Sequence, residues 1–105
     1  MSKAEKMPPV HPGEILLEDY LKPFGLSQNQ IARDLRVPVQ RINEIINGKR
    51  SITMDTALRL ARYFNTSPQF WLNMQTHFDF ETAKDWHQIE RIEKEVKINS
   101  LVSVG

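Results

Sequence analysis

The side chains with the most specific chemistry lie between residues 39 and 47. Gln40, Asn43, Glu44 and Asn47 stand at positions i, i+3, i+4 and i+7, a spacing that places all four on one face of a helix. Gln and Asn side chains pair with the edge of adenine, and Val39 beside them can contact the methyl group of thymine. The row predicts a helix that lies in the major groove of DNA, although an ordinary amphipathic helix with a solvated polar face would show the same spacing.

Basic and hydroxyl side chains adjoin this row. Arg41 lies within the same helix and suits guanine, whose O6 and N7 accept the two parallel donors of a guanidinium group. Lys49, Arg50 and Ser51 follow directly after the helix. Their ammonium, guanidinium and hydroxyl groups suit the phosphates beside the groove, where contacts fix the position of a protein on the duplex.

Two short helices and a turn are expected to position these residues. Ser27 is a good N-cap for a helix over residues 28–35, whose apolar positions repeat at helical spacing. Pro38 begins a second helix that reaches about Asn47. Arg36 occupies the turn position that needs a left-handed backbone, at a cost of about 1 kcal/mol for a non-glycine residue. The pattern is that of a helix-turn-helix.

Helix signals recur along the rest of the chain. They delimit a first helix from Pro12 to Pro23, a fourth that Thr53 caps and a left-handed Asn65 closes, a fifth from Ser67 and a sixth over residues 86–96. Residues 97–105 alternate in a way that allows a short strand. We therefore predict an all-α fold, a compact domain of five to six helices with a short extended C-terminal tail. Its expected parts are an N-terminal tail (1–10), a helix-turn-helix domain (11–80) and a C-terminal helix and tail (81–105) that contacts a second copy or a partner.

Composition limits the class of protein. The 105 residues suffice for one small domain, there is no cysteine for a disulfide or thiolate metal site, and no apolar run is long enough to span a membrane. A cytoplasmic protein is therefore expected. The net charge of +1 divides into −2 over residues 1–21, +5 over 22–62 and −2 over 63–105. A basic centre between acidic flanks favours a nucleic-acid surface with separate protein contacts.

An enzyme is the main alternative class. His77, Asp79, His87 and Glu90 could be drawn together as a metal site, but their spacing matches no zinc-ligand pattern. The chain has only four glycines, and it contains neither a G-x-S-x-G motif nor a phosphate-binding glycine loop. We therefore expect no catalytic activity, no metal and no cofactor.

Longer motifs resemble one bacterial family. HPGEIL at residues 11–16, LSQNQIA at 26–32, RINEIINGKRSIT at 41–53, TALRLA at 56–61 and SPQFWLNMQ at 67–75 are together similar to the HigA-type addiction-module antitoxins, within the Xre/Cro-like helix-turn-helix group. The resemblance covers residues 11–79. The sequence departs from the family at Asn65, where glycine is common, and the segment after Lys84 matches no family pattern.

The resemblance implies an Xre/Cro-like domain acting as the antitoxin of a type II toxin–antitoxin module in the bacterial cytoplasm. It implies a homodimer that represses its own operon at a palindromic operator, and a HigB-type toxin partner, a RelE-like endonuclease that cuts mRNA on the ribosome. By position, DNA contacts are expected from Gln28 at the start of the first motif helix, from Val39, Gln40, Arg41, Asn43 and Glu44 on the second, and from Asn47, Lys49 and Ser51 at phosphates.

A dimer agrees with the physics of DNA reading, because two recognition helices about 34 Å apart would read half-sites one DNA turn apart. Four large apolar side chains of the fifth helix are the predicted contact with the second copy or a partner: Phe70, Trp71, Met74 and Phe78. The alternative is that Phe70 and Trp71 belong to the core, since large aromatic residues dominate cores and interfaces alike.

Two other functions stay open at this point. A stand-alone transcriptional regulator without a toxin partner would have the same DNA-binding domain. A protein that acts mainly as an inhibitor by contact would use its C-terminal end, because residues 97–104 could add a strand to a partner's sheet.

Overall fold

The computed structural model describes residues 8–85, with the backbone alone at 84 and 85, and residues 87–101. Helix α1 covers residues 12–24 in three consecutive segments, Pro12–Ile15, Leu16–Leu21 and Lys22–Phe24. It is followed by α2 (Gln28–Leu35), α3 (Val39–Ile46), α4 (Met54–Phe64), α5 (Pro68–Asp85) and α6 (Gln88–Glu95). The described residues contain no strand, which confirms the predicted all-α fold.

The turns between the helices form as their residues predict. The Ser27 hydroxyl accepts a hydrogen bond from the Gln30 amide at 3.0 Å and so caps α2. The hydroxyl of Thr53 caps α4 in the same way. Arg36 at the end of α2 has φ 62° and Asn65 at the end of α4 has φ 57°. Both predicted left-handed positions are therefore confirmed, each held by a residue other than glycine.

The middle segment of α1, Leu16–Leu21, is a π-helix. Its hydrogen bonds join residues five apart, so a turn is wider than in an α-helix. Leu16 and Leu21 are accordingly both buried, at 0% and 2% exposure, although they would point in different directions from a regular α-helix. The apolar spacing of α1 predicted a helix but not this local widening.

The core lies between helices α1 to α4 and the first half of α5. Its members are Leu16, Leu21, Ile31, Ala32, Leu35, Ile42, Ile45, Ile52, Ala57, Leu60, Ala61 and Trp71. Trp71 is fully buried, and its indole nitrogen donates to the Thr66 hydroxyl at 2.9 Å. Burial with a partner for the N–H group is the usual state of a core tryptophan.

The C-terminal part differs in one respect from the expectation. Residues 97–99 are irregular and a turn follows at residues 100–101, so the short strand that the alternation allowed is absent from the described tail. Helix α5 continues past residue 80 as far as Asp85. In the described part of the chain, no helix combines the length and the apolar character needed to cross a membrane.

Candidate nucleic-acid interface

Helix α3 is fixed by its inner face and presents polar groups outward. Ile42 and Ile45 are fully buried. Gln40 and Asn43 are exposed, and Glu44 is half-buried. The predicted row therefore lies on the solvent side of α3, which is the arrangement that base contacts require.

A close backbone approach holds α3 against α1. A Cβ atom built on Gly13 would lie 1.7 Å from the Ile45 carbonyl oxygen and 2.6 Å from its carbonyl carbon. Only a residue without a side chain fits there. Gly13 thus fixes the distance between α1 and α3, a role that sequence spacing gave no means of finding.

Three amide side chains form a chain of hydrogen bonds across the helix-turn-helix. The Asn43 Nδ2 donates to Gln28 Oε1 at 3.2 Å, and the Asn47 Nδ2 donates to Asn43 Oδ1 at 3.2 Å. Gln28 begins α2, whereas the two asparagines belong to the outer face of α3 and its end. The structure therefore brings Gln28 of the first motif helix into contact with two residues that the sequence had placed on the second.

A second network centres on Glu44. Its carboxylate accepts a hydrogen bond from Arg50 Nε at 2.8 Å and another from Gln40 Nε2 at 3.1 Å. The Arg50 hydrogen bond, and then that of Gln40, hold the pKa of Glu44 below its usual value. The carboxylate therefore stays ionised, and it offsets the charge of Arg50.

Arg41 points away from this row. Its guanidinium group lies 2.9 Å from Asp55 Oδ2 on α4, and it is 28% exposed. Arg59 donates to the same Asp55 oxygen at 3.0 Å and to the Leu35 carbonyl at the end of α2 at 2.8 Å. The hydrogen bond from Arg59, which has the larger effect, and the hydrogen bond from Arg41 lower the pKa of Asp55 below its usual value. The Arg41 ion pair and the Leu35 hydrogen bond tie α3, α4 and α2 together. The sequence carried no signal for the Arg41 pair, because Asp55 lies 14 residues further along the chain.

The loop with Lys49, Arg50 and Ser51 is held at its end by a buried hydrogen bond to α5. The buried amide of Ile52 donates to Gln75 Oε1 at 2.8 Å, and Gln75 Nε2 donates to Asp79 at 2.9 Å. Gln75 is 5% exposed, so its amide group bonds to the loop and not to solvent. The three loop side chains themselves are exposed, as phosphate contacts require.

His11 caps α1 next to this loop. Its Nδ1 atom accepts a hydrogen bond from the Gly13 amide at 2.9 Å, so the neutral ring acts as the N-cap. The ring stands edge-on to Phe78 of α5, with 4.9 Å between ring centroids. Burial lowers the pKa of His11, and the negative charge of Asp79 opposes that shift.

Known proteins share this architecture. A helix-turn-helix family model matches residues 17–71. Virulence-associated protein I of Dichelobacter nodosus is 57% identical over 79 residues, which are 75% of this chain and 73% of that protein. A HigA-family addiction-module antidote protein of Coxiella burnetii is 48% identical, with a TM-score of 0.76 over 89% of this chain and 100% of that one. This chain belongs to the HigA family of helix-turn-helix proteins.

A solved HigA antitoxin from Pseudomonas aeruginosa, described with the higBA promoter, is 42% identical to this HigA-family chain. The TM-score is 0.77, and the alignment covers 85% of this chain and 96% of the other. The family expected from the sequence motifs is thus confirmed.

The four predicted partner contacts of this HigA-family chain have different surroundings. Phe70 is 38% exposed, and Met74 and Phe78 are partly buried. Trp71 is fully buried, so its assignment as a surface contact is wrong and the core alternative holds for it. Its ring packs between Tyr20, Phe64 and Phe70, with centroid distances of 5.1 to 6.4 Å.

The histidines and carboxylates considered as a metal site are not grouped. Among the described residues no three His, Asp or Glu side chains are placed so that they could hold one metal ion. Asp79 is engaged by Gln75, and His87 lies 3.3 Å from Glu90 on the exposed α6. The polar groups of the site that do converge are amides and guanidinium groups, which suit nucleic-acid recognition.

Proposed function

We propose that this HigA-family chain is the antitoxin of a type II toxin–antitoxin module. It binds operator DNA as a homodimer, represses its own operon and neutralises a HigB-type, RelE-like mRNA endonuclease by direct binding. The DNA-contacting residues are Gln28, Val39, Gln40, Arg41, Asn43, Glu44, Asn47, Lys49, Arg50 and Ser51. Phe70, Met74 and Phe78 remain the proposed contacts with the second subunit or a partner.

The observation that carries the DNA-binding part is the polar face of α3 with its ordered side chains. Gln28, Asn43 and Asn47 are joined to one another by hydrogen bonds at 3.2 Å within the chain itself. Such pre-ordering lowers the entropy that binding must remove from these side chains. Their amide groups can exchange bonds with one another for bonds to base edges or phosphates.

The roles within the face differ. Gln40 and Asn43 are exposed in the first two turns of α3 and are the proposed base readers. Arg41 is held by Asp55 at the side of α3, so we assign it to a phosphate contact and not to a base edge. Lys49 is exposed in the following loop and contacts a phosphate.

A salt titration tests this function. The full chain is titrated with the DNA upstream of its own gene and with a scrambled duplex of equal length, from 50 to 300 mM salt, and light scattering gives the oligomeric state. We expect a dimer that binds its own upstream DNA at least about a thousandfold more tightly than the scramble. Equal, weak binding to both duplexes would mean that the basic centre is only a general polyanion surface.

The toxin part is tested with the product of the adjacent gene. Co-expression is expected to yield a stable complex and to restore growth that this product alone arrests. A stand-alone regulator, the second candidate, would bind its operator with full specificity but form no such complex. Operator binding and toxin binding are therefore separate outcomes.

A further inference from the structure

Glu44 is the acidic member of the polar row on α3. A carboxylate on a surface that approaches DNA is repelled by the phosphates, because like charges at short distance raise the energy of the complex. In this chain the guanidinium group of Arg50 offsets that charge, with its Nε atom 2.8 Å from Glu44 Oε1. A guanidinium group carries five N–H donors, so Arg50 can hold the carboxylate and a phosphate together. The pair therefore allows Glu44 to enter the groove.

The Glu44 carboxylate has acceptor capacity left for a base. Its Oε1 atom accepts from Arg50 at 2.8 Å and its Oε2 atom accepts from Gln40 at 3.1 Å. These hydrogen bonds, that of Arg50 first, lower the pKa of Glu44, so the group is ionised near neutral pH. An ionised carboxylate has about four lone-pair sites and no donor. With its side chain 29% exposed, Glu44 can accept a further hydrogen bond but cannot donate one.

The base edges in the major groove differ in whether they suit such a group. Guanine presents two acceptors, and thymine presents an acceptor and a methyl group, so neither can donate to a carboxylate. Adenine presents a donor beside the N7 acceptor, a pair that an amide matches and a carboxylate does not. Cytosine presents the donor of its N4 amino group. The base edge that suits Glu44 best is therefore that of cytosine.

Glu44 also fixes the orientation of the Gln40 side chain. The oxygen and nitrogen of an amide exchange places when the group turns over, but a carboxylate only accepts and therefore keeps the amide nitrogen toward itself. This leaves the amide oxygen and the second N–H of Gln40 for a base, and that pair matches N6 and N7 of adenine. Gln40 and Glu44 stand at positions i and i+4 and are in contact. The bases that they face are therefore close neighbours.

We propose that Glu44 is a specificity-determining residue, which accepts a hydrogen bond from the N4 amino group of a cytosine in the operator. This inference rests on the proposed DNA-binding function and names a base that the outer face of α3 selects. Guanine or thymine in place of this cytosine is disfavoured, because a base acceptor would then face the carboxylate and both would lack a donor. Gln40, in the orientation that Glu44 fixes, reads an adjacent adenine.

Substitutions in the DNA and in the full chain test this assignment together. Footprinting locates the bound segment of the DNA upstream of the gene. Each of its cytosines is then replaced in turn by adenine or thymine with the complementary base, or by pyrimidin-2-one, an analogue without the 4-amino group, opposite guanine. The wild type, Glu44→Gln and Glu44→Ala are titrated with every duplex. Glu18→Gln is the matched control, since Glu18 is also held in a 2.8 Å ion pair but lies on α1.

We expect a cytosine position at which the analogue weakens wild-type binding by at least about fivefold, the effect of one mismatched base pair. Glu44→Ala is expected to bind the cytosine and analogue duplexes equally at that position. Glu44→Gln should shift the preference from cytosine to adenine, because its amide offers the donor and acceptor that the adenine edge needs. The control should bind every duplex as the wild type does.

Three results would overturn the assignment. If the wild type binds its upstream DNA specifically but tolerates the analogue at every cytosine, the inference fails while the DNA-binding function stands; this titration decides the question even if a variant does not fold. If Glu44→Ala weakens binding to all duplexes by one factor and keeps the cytosine preference, Glu44 only positions Arg50. If the wild type does not distinguish its upstream DNA from the scramble, the proposed DNA-binding function fails together with this inference.

Discussion

The α-carbon of Gly13 lies against the backbone of Ile45, where a methyl group would stand 1.7 Å from the carbonyl oxygen. One residue belongs to the first turn of α1 and the other to the recognition helix α3. Because both partners contribute main-chain atoms, this contact sets the height and tilt of α3 over the domain. The orientation of the proposed DNA-reading face therefore depends on a residue that lies outside that face.

Gly13→Ala is expected to destabilise the chain. In a helix without this contact, alanine would stabilise by about 0.5–1 kcal/mol relative to glycine. Here the added carbon overlaps backbone atoms that cannot move aside, so the free energy of unfolding should fall by about 1–3 kcal/mol. Urea denaturation measures it. Gly25→Ala is the control: φ is +65° and nothing lies within 4 Å of the added carbon, so it should cost about 1 kcal/mol and leave operator affinity intact. Operator affinity unchanged in Gly13→Ala would contradict the proposed positioning role.

Gln75→Leu is expected to loosen the loop that follows α3. The substitution removes the acceptor of the buried Ile52 amide, and an unsatisfied buried group costs about 1–3 kcal/mol. Thermal unfolding should reveal the loss, together with faster hydrogen exchange at Ile52. The exposed Gln69 on the same helix offers a comparison, since Gln69→Leu should change stability by less than about 0.5 kcal/mol. Equal effects of the two substitutions would argue against a structural role for the Gln75 amide.

Stability is expected to fall as the pH drops below about 6.5, the ordinary pKa of histidine. Burial lowers the pKa of His11 in the folded chain, so the folded state binds this proton less readily than the unfolded state. The contribution of the neutral ring is complete above the unfolded pKa and is lost as the pH falls through the folded pKa.

Urea midpoints measured from pH 8 to pH 5 test this slope. His11→Asn keeps an uncharged cap oxygen and should flatten the curve in that range. His77→Asn, at an exposed position, should leave it unchanged. Glu44 and Asp55 also have lowered pKa values, but their contributions are lost only at pH values below the ordinary carboxyl range, which lies outside this window.

Gln40→Ala is expected to reduce operator discrimination. Loss of one bidentate base contact weakens the binding free energy for the correct sequence by about 1–3 kcal/mol and changes it little for other sequences. Arg41→Ala should reduce discrimination less, since Asp55 already holds the Arg41 guanidinium group. Competition binding with single-base operator variants measures both. Undiminished preference in Gln40→Ala would refute its assignment as a base reader.

Lys49→Ala is expected to act through the phosphates. It should weaken binding to the operator and to a scrambled duplex by the same factor, and it should reduce the slope of log K against log salt by about one. The same titration with Lys22→Ala serves as the control, since Lys22 is paired with Glu18 on α1. A loss confined to the operator would instead make Lys49 a base-reading residue.

Much of the architecture follows from local signals. The caps at Ser27 and Thr53 and the left-handed residues Arg36 and Asn65 lie where the sequence predicted them, because each depends on a few adjacent residues. The inner and outer faces of α3 follow from helical periodicity in the same way.

Contacts between distant residues could not be predicted. The Gln75 bond to Ile52 and the Arg41 pair with Asp55 depend on how helices pack, and the residue types would suit solvent equally well. The location of Trp71 could not be predicted either, because a large aromatic side chain suits a core and an interface alike. Its packing against Tyr20 and Phe64 places it in the core.

The backbone contact between Gly13 and Ile45 also bears on how such a regulator can diversify. The helix α3 is held by main-chain atoms, by Ile42 and Ile45 on its inner face and by the Arg41 pair with Asp55. The exposed Gln40 bonds to Glu44 of the same helix and takes no part in that packing. A duplicated copy of the gene could acquire a new operator through a change at Gln40 while its fold stays the same. The preference for a DNA sequence can thus change without a change in the packing of α3.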